Sequence, residues 1–266
     1  MKQKALVLTV IGAVALVVVS AAMAATIVGT PGDDTPDTGF VGTTTADTMY
    51  GRGGNDVANG DLGNDLIFGN QGNDTINGQA DSDTAYGGAG DDTVAGDIGN
   101  DVLHGGPGTD IVNGDAGHDI LGGGHGDDTL NGGDDNDAVI GGPGTDVLDG
   151  GNGIDFLAGG FGQDTLNGGE GDDSLHGAFG PDTLDGGSGN DRLWGGRGHD
   201  TVNGGEGDDF LFSLARDGSD TLNCGENADG SVDNDFAYAR ANDSVNADCE
   251  NVILLPAPWY DGGEDA

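Results

Sequence analysis

The chain has 266 residues, of which 57 are Gly and 43 Asp, with 5% aromatic side chains and a formal net charge of −41. So much negative charge excludes nucleic acid as a partner and favours cations. Composition alone describes a disordered, self-repelling Gly/Asp chain, but a regular spacing overrides composition, because a repeat gives each residue a fixed place.

The N-terminus opens on MKQK, continues through the apolar run ALVLTVIGAVALVVV and ends in SAAMAA, with Ala22-Met23-Ala24 as a small-residue cleavage site. That is the plan of a secretory signal peptide over residues 1–24, which implies a secreted, extracellular protein without stable membrane insertion after cleavage. The alternative is a retained anchor, since Ala5–Ala25 is long enough to span a bilayer. Cleavage removes Lys2 and Lys4, the only lysines, and brings the charge to −41 − 2 = −43. Residues 25–50 read as an N-terminal cap with degenerate repeats: GTPGDDTPD at 29–37 is a decayed copy of the unit that follows, interrupted by Pro36, and Gly42–Tyr50 keeps Asp47 and Met49.

From Gly51 to Phe212 the period is nine without an insertion, giving eighteen blocks over 162 residues. The first position is always Gly, the sixth always Asp and the eighth always apolar; the fourth is Gly except at Asp81 and Asp135. Gly at positions one, two and four lets the backbone take positive φ and approach a ligand closely. Such a turn aims carbonyl oxygens inward and the Asp adds a charged oxygen, a hard oxygen-only set that suits Ca²⁺ rather than Zn²⁺. The last three residues, as in Thr201-Val202-Asn203, read as a three-residue strand with its middle side chain buried.

These blocks resemble the calcium-binding nonapeptide GGxGxDxUx of RTX (hemolysin-type) proteins, over about two-thirds of the chain. The resemblance implies an all-β fold, a right-handed parallel β-roll (a two-sheet β-solenoid) with two blocks per turn. It also implies Ca²⁺ held between neighbouring turns by Asp carboxylates and loop carbonyls. Carried over, one row of ligands is Asp56, Asp74, Asp92, Asp110, Asp128, Asp146, Asp164, Asp182 and Asp200. The other is Asp65, Asp83, Asp101, Asp119, Asp137, Asp155, Asp173, Asp191 and Asp209. Nine turns per row leave eight gaps, so 8 + 8 = 16 sites, with Asp47 as a further candidate at the N-terminal edge. Asp61, Asp97 and Asp115 replace the second Gly and Asp81 and Asp135 the fourth, all on the Asp65 row, where an added carboxylate or altered geometry is expected. One buried aliphatic side chain per nine Gly-rich residues is too little to order the chain, so Ca²⁺ binding is expected to supply much of the folding free energy.

The ninth position alternates with a period of eighteen. One face carries Asn59, Asn77, Asn113, Asn131, Asn167 and Asn203, with Thr at the seventh position; the other carries Tyr50, Phe68, Tyr86, Trp194 and Phe212. The Thr-x-Asn face reads as a solvated sheet with side-chain ladders or as a water-ordering array. The aromatic face reads as strand propensity or as a surface for a protein partner or a second copy.

Residues 213–266 leave the period and read as a C-terminal cap, with Cys224 and Cys249 expected to pair in an exported protein. The D-C-E ending is similar to the close of other secreted calcium-binding repeat proteins. None of the five His sits in an H-E-x-x-H motif, every regular carboxylate is taken by Ca²⁺, and no insertion in the repeat builds a cleft. The reading is therefore a calcium-binding structural roll without catalysis. A partner-binding or adhesion module is the alternative, and a solenoid polysaccharide lyase or epimerase a more distant one.

Overall fold

In the computed structural model the described residues are 7–9, 24–35, 40–213, 219–225 and 234–255. Most of the expected signal peptide, including Lys2, Lys4, Ala22 and Met23, lies outside them, as do Pro36 and residues 256–266. Val7–Thr9 is a short strand paired with Thr26–Val28. Among the described residues there is no helix, and none long and apolar enough to cross a membrane.

The described chain is all β, and every strand pair is parallel. Val57 pairs with Thr75 and Leu66 with Thr84, so each strand lies against the strand eighteen residues on. Successive blocks alternate between a fourteen-stranded and an eleven-stranded sheet, which makes two blocks one turn of a β-solenoid of about twelve turns. The eighth-position side chains, from Ala58 to Leu211, fill the space between the sheets and are almost fully buried. Met49 continues this core at one end and Leu222 and Ala237 at the other.

The strands are longer than the three residues expected. Those of the regular turns run over six, as in Val57–Leu62 and Leu66–Gln71, and take in positions seven to nine and one to three of the next block. The extension is possible because position one stays extended while position two flips to positive φ, which bends the strand without ending it. All nine non-Gly residues with positive φ stand at position two or four; Ala178 (φ 79°) and Gln79 (φ 84°) hold the bend that Gly holds elsewhere. Positions two and four thus need Gly for conformation, as expected. Position one does not, and its Gly has a different cause, described below.

The segments outside the strict period are wound into the same two sheets. Thr221–Asn223 pairs with Thr201–Asn203, and Phe236–Ala239 with Phe210–Phe212; Ser244–Val245 and Asn251–Leu254 end the two sheets. Longer connections separate these last strands, so the ladder continues although the sequence period stops. Cys224 and Cys249 form a disulfide, with Cα atoms 5.0 Å apart and a sequence separation of 25. Closing a loop of that length stabilises the final turns by about 3–4 kcal/mol.

Candidate metal centre

All eighteen repeat aspartates point into the roll and are at most 4% exposed. They form two rows, one along each edge, and each carboxylate is held in the same way. Its Oδ1 accepts a hydrogen bond from the backbone N–H of the aspartate one turn earlier, as in Asp56 N–H to Asp74 Oδ1 (2.8 Å) and Asp137 N–H to Asp155 Oδ1 (2.7 Å). The row is therefore a continuous ladder of carboxylate and amide, eighteen residues per rung, and it fixes the side-chain rotamers along both edges.

The other carboxylate oxygen is left over. From Asp56 to Asp191 the Oδ2 atoms, sixteen in all, are buried and have no hydrogen-bond partner among the described residues. A buried, charged acceptor without a donor is costly. The invariant Gly at position one explains where these atoms point. A Cβ added to Gly150 would lie 2.5 Å from the Gly168 carbonyl oxygen and 2.6 Å from Asp155 Oδ2. The same pair of a carboxylate oxygen and the next turn's carbonyl meets a Cβ on Gly60 and on Gly177. Position one is Gly because any side chain would displace the carboxylate, and the small space it leaves is lined by oxygen.

An oxygen-lined cradle with a desolvated carboxylate fits a hard divalent cation. Each cradle draws on one carboxylate and on main-chain carbonyls: among the described residues no group of three or more acidic, His or Cys side chains converges. Oδ1 of every rung is engaged by an amide, so Oδ2 and the main-chain carbonyls are the oxygens left facing the cradle.

The electrostatics agree. Burial pushes the carboxyl of Asp65, Asp83, Asp92, Asp137, Asp146, Asp173 and Asp182 up to about 7, and that of Asp56, Asp119, Asp128 and Asp191 to about 6. The ladder hydrogen bond opposes this, and neighbouring aspartates add to it; His118 beside Asp119 acts weakly the other way. A carboxyl raised in the folded state favours the metal-free roll below its unfolded pKa of about 4, and that contribution is lost as pH rises through 6 to 7. Calcium requires the ionised form, so protons compete with it. We expect the calcium midpoint of folding, followed by circular dichroism, to rise as pH falls from 8 to 5.5. In chelator the β-signal should instead grow on acidification. A calcium midpoint independent of pH over that range would contradict these raised carboxyls.

The rows run further than the strict repeat. Asp34 and Asp47 donate their N–H groups to Asp56 and Asp65 Oδ1, both at 2.7 Å. At the other end Asp200 N–H reaches Asp220 Oδ1 (2.9 Å) and Asp209 N–H reaches Asp235 Oδ1 (2.7 Å); Asp243 and Glu250 follow. The edge rungs differ from the inner ones, because Asp34 Oδ2 accepts the Thr30 N–H (2.6 Å). Asp235 was missed by spacing, which jumps to 26 residues there, although Asp235-Phe236-Ala237-Tyr238 repeats the local grammar of Asp, any, apolar, any. Asp61, Asp97 and Asp115 lie at position two on strands of the smaller sheet, so they do not join the buried row.

The sequence matches the profile of the RTX calcium-binding nonapeptide repeat in nine overlapping segments between residues 41 and 211. The chain belongs to this family. RTX nonapeptides bind Ca²⁺, and the matched region coincides with the stretch over which the two aspartate rows are regular. A comparison with curated proteins gives no match.

Proposed function

We propose that this RTX chain is an exported structural roll that folds on extracellular Ca²⁺ and performs no catalysis of its own. The sixteen buried Oδ2 atoms without a donor carry the reading. The eighteen aspartates from Asp56 to Asp209 would supply one carboxylate oxygen each, and position-one carbonyls would complete the sets. Bound Ca²⁺ supplies the positive charge that the rows lack; the protein's own part is to hold each carboxylate by its Oδ1 and keep side chains out of the cradle. Sixteen divalent ions bring +32 against −43, which relieves most of the self-repulsion that otherwise opposes compaction. The MKQK start and apolar run support export, where calcium is abundant and the Cys224–Cys249 disulfide persists.

The outer face of the smaller sheet supports a non-catalytic role. An open groove on the smaller sheet is lined by Asn131, Asp134, Asp149, Asn152, Asn167 and Glu170, without a histidine or an activated nucleophile. On the same face Asn77 donates to Asn59 Oδ1 (2.9 Å) and Asn203 to Asp185 Oδ1 (2.9 Å), so its amides are spent on side-chain ladders. The test is an ion count: equilibrium dialysis of the chain without residues 1–24, at millimolar Ca²⁺, should give about sixteen ions per chain. Retention of fewer than four would overturn the assignment of both rows.

A further inference from the structure

The two sheets meet solvent with opposite chemistry. In a chain with 48 acidic residues, the fourteen strands of the larger sheet contain no Asp or Glu. The eleven strands of the smaller sheet contain eight, among them Asp115, Asp134, Asp149 and Glu170. Arg192 and Arg197 lie on the larger sheet, and burial lowers the pKa of His104 and His176 there, which keeps their imidazoles neutral.

Apolar side chains cover this face in register. Tyr50, Phe68, Tyr86 and His104 stack ring on ring, with centroids 5.1–5.2 Å apart, and His176, Trp194, Phe212 and Tyr238 form a second stack. Ring faces used in this way are closed to a sugar and leave a flat surface of ring edges, which suits a protein face. Between the stacks the same column reads Gly122, Ile140 and Ala158 in register; the His104 ring leans over Gly122, which leaves Ile140 as a knob beside the small Ala158. Ile140 is 47% exposed, and Ile120 (48%), Phe156 (42%) and Phe161 (60%) are exposed on the same sheet.

We propose that the folded roll pairs with a second copy of itself through the larger sheet, two-fold and antiparallel, with each Ile140 seated over the partner's Ala158. A two-fold contact needs a self-complementary patch, and one knob beside one small residue, Ile140 beside Ala158, supplies it. Charge selects a copy of this chain: any other approach of two such acidic molecules brings carboxylates together, whereas this sheet brings none. The area suffices. The eight six-residue strands from Leu66–Gln71 to Arg192–Arg197, about 4.8 Å apart and each about 20 Å long, give about 800 Å² per copy, the size of a standard interface.

The proposal goes beyond calcium binding but needs the calcium-folded roll. Sedimentation of the chain at millimolar Ca²⁺, from about 1 to 100 µM, should give twice the monomer mass. Ile140→Arg should shift the monomer–dimer midpoint at least a hundredfold upward. Ile111→Arg, at an equally exposed site on the other sheet (47%), should leave it unchanged. Circular dichroism checks that both variants fold. A β-rich monomer at every concentration, or an Ile140→Arg variant that dimerises like the parent, would overturn the proposal alone. A chain that stays unfolded in Ca²⁺ would overturn the calcium reading, and this proposal with it.

Discussion

In excess chelator at neutral pH the roll is expected to come apart over its whole length, with its radius of gyration growing from about 20 Å to about 50 Å. The cause lies inside the molecule. Sixteen buried carboxyl oxygens without donors would remain between the sheets, each beside another carboxyl one turn away and, at neutral pH, either ionised without a partner or held protonated at a cost. The core that opposes this is thin, one aliphatic side chain per block, and two of those, Ala58 and Ala85, are only Ala. Turns contact mainly the turns above and below, so loss of ions along the row removes support everywhere at once. Small-angle scattering with and without Ca²⁺ measures the change directly. A radius that stays near the compact value in chelator would mean that packing and backbone ladders suffice without the cation.

Replacing one rung should separate the two tasks of its carboxylate. Asp155 is buried, accepts the Asp137 N–H through Oδ1 (2.7 Å), and shares its cradle with the Gly168 carbonyl. Asp155→Asn keeps the acceptor for that amide but replaces the anionic oxygen with a donor. The variant should bind about one ion fewer and lose about 2–3 kcal/mol at saturating Ca²⁺, the scale of a charged hydrogen-bonding partner. Asp155→Ala also strands the Asp137 N–H and should lose about 1–3 kcal/mol more. Asp149→Asn, nearby but on the outer face, should stay within about 0.5 kcal/mol of the parent. Urea unfolding in Ca²⁺ ranks the three; equal stability of the Asn variant and the parent would remove Asp155 from the metal site.

The period of nine made the rows, the core and the alternation of the two faces legible, because position in a solenoid is set by count alone. Asp191 and Asp200 fall on opposite edges for that reason, and Trp194 and Asn203 on different sheets. What the count hid are features that depend on close approach. Gly at positions one, two and four looks alike in the sequence, yet Gly150 is demanded by Asp155 and Gly168, while Gly151 is demanded by φ (100°). Position five looked variable, yet it builds a second ladder along each edge. Asn73 N–H donates to Asn55 Oδ1 (3.0 Å), His118 N–H to Asn100 Oδ1 (3.1 Å) and Asn136 N–H to His118 Nδ1 (3.0 Å). Any side chain with a well-placed acceptor serves there, so no single residue type marks it. Past Phe212 the connections lengthen, and Asp235 and Glu250 keep their rungs while losing their spacing.

The central claim is that cations held by the two aspartate rows are what fold the roll. Calcium titration of a chelator-treated chain, with bound ions and far-UV circular dichroism followed in the same sample, tests it most directly. β-signal and bound calcium should rise together and level off near sixteen ions per chain. A β-rich spectrum already present before the first ion binds would contradict it.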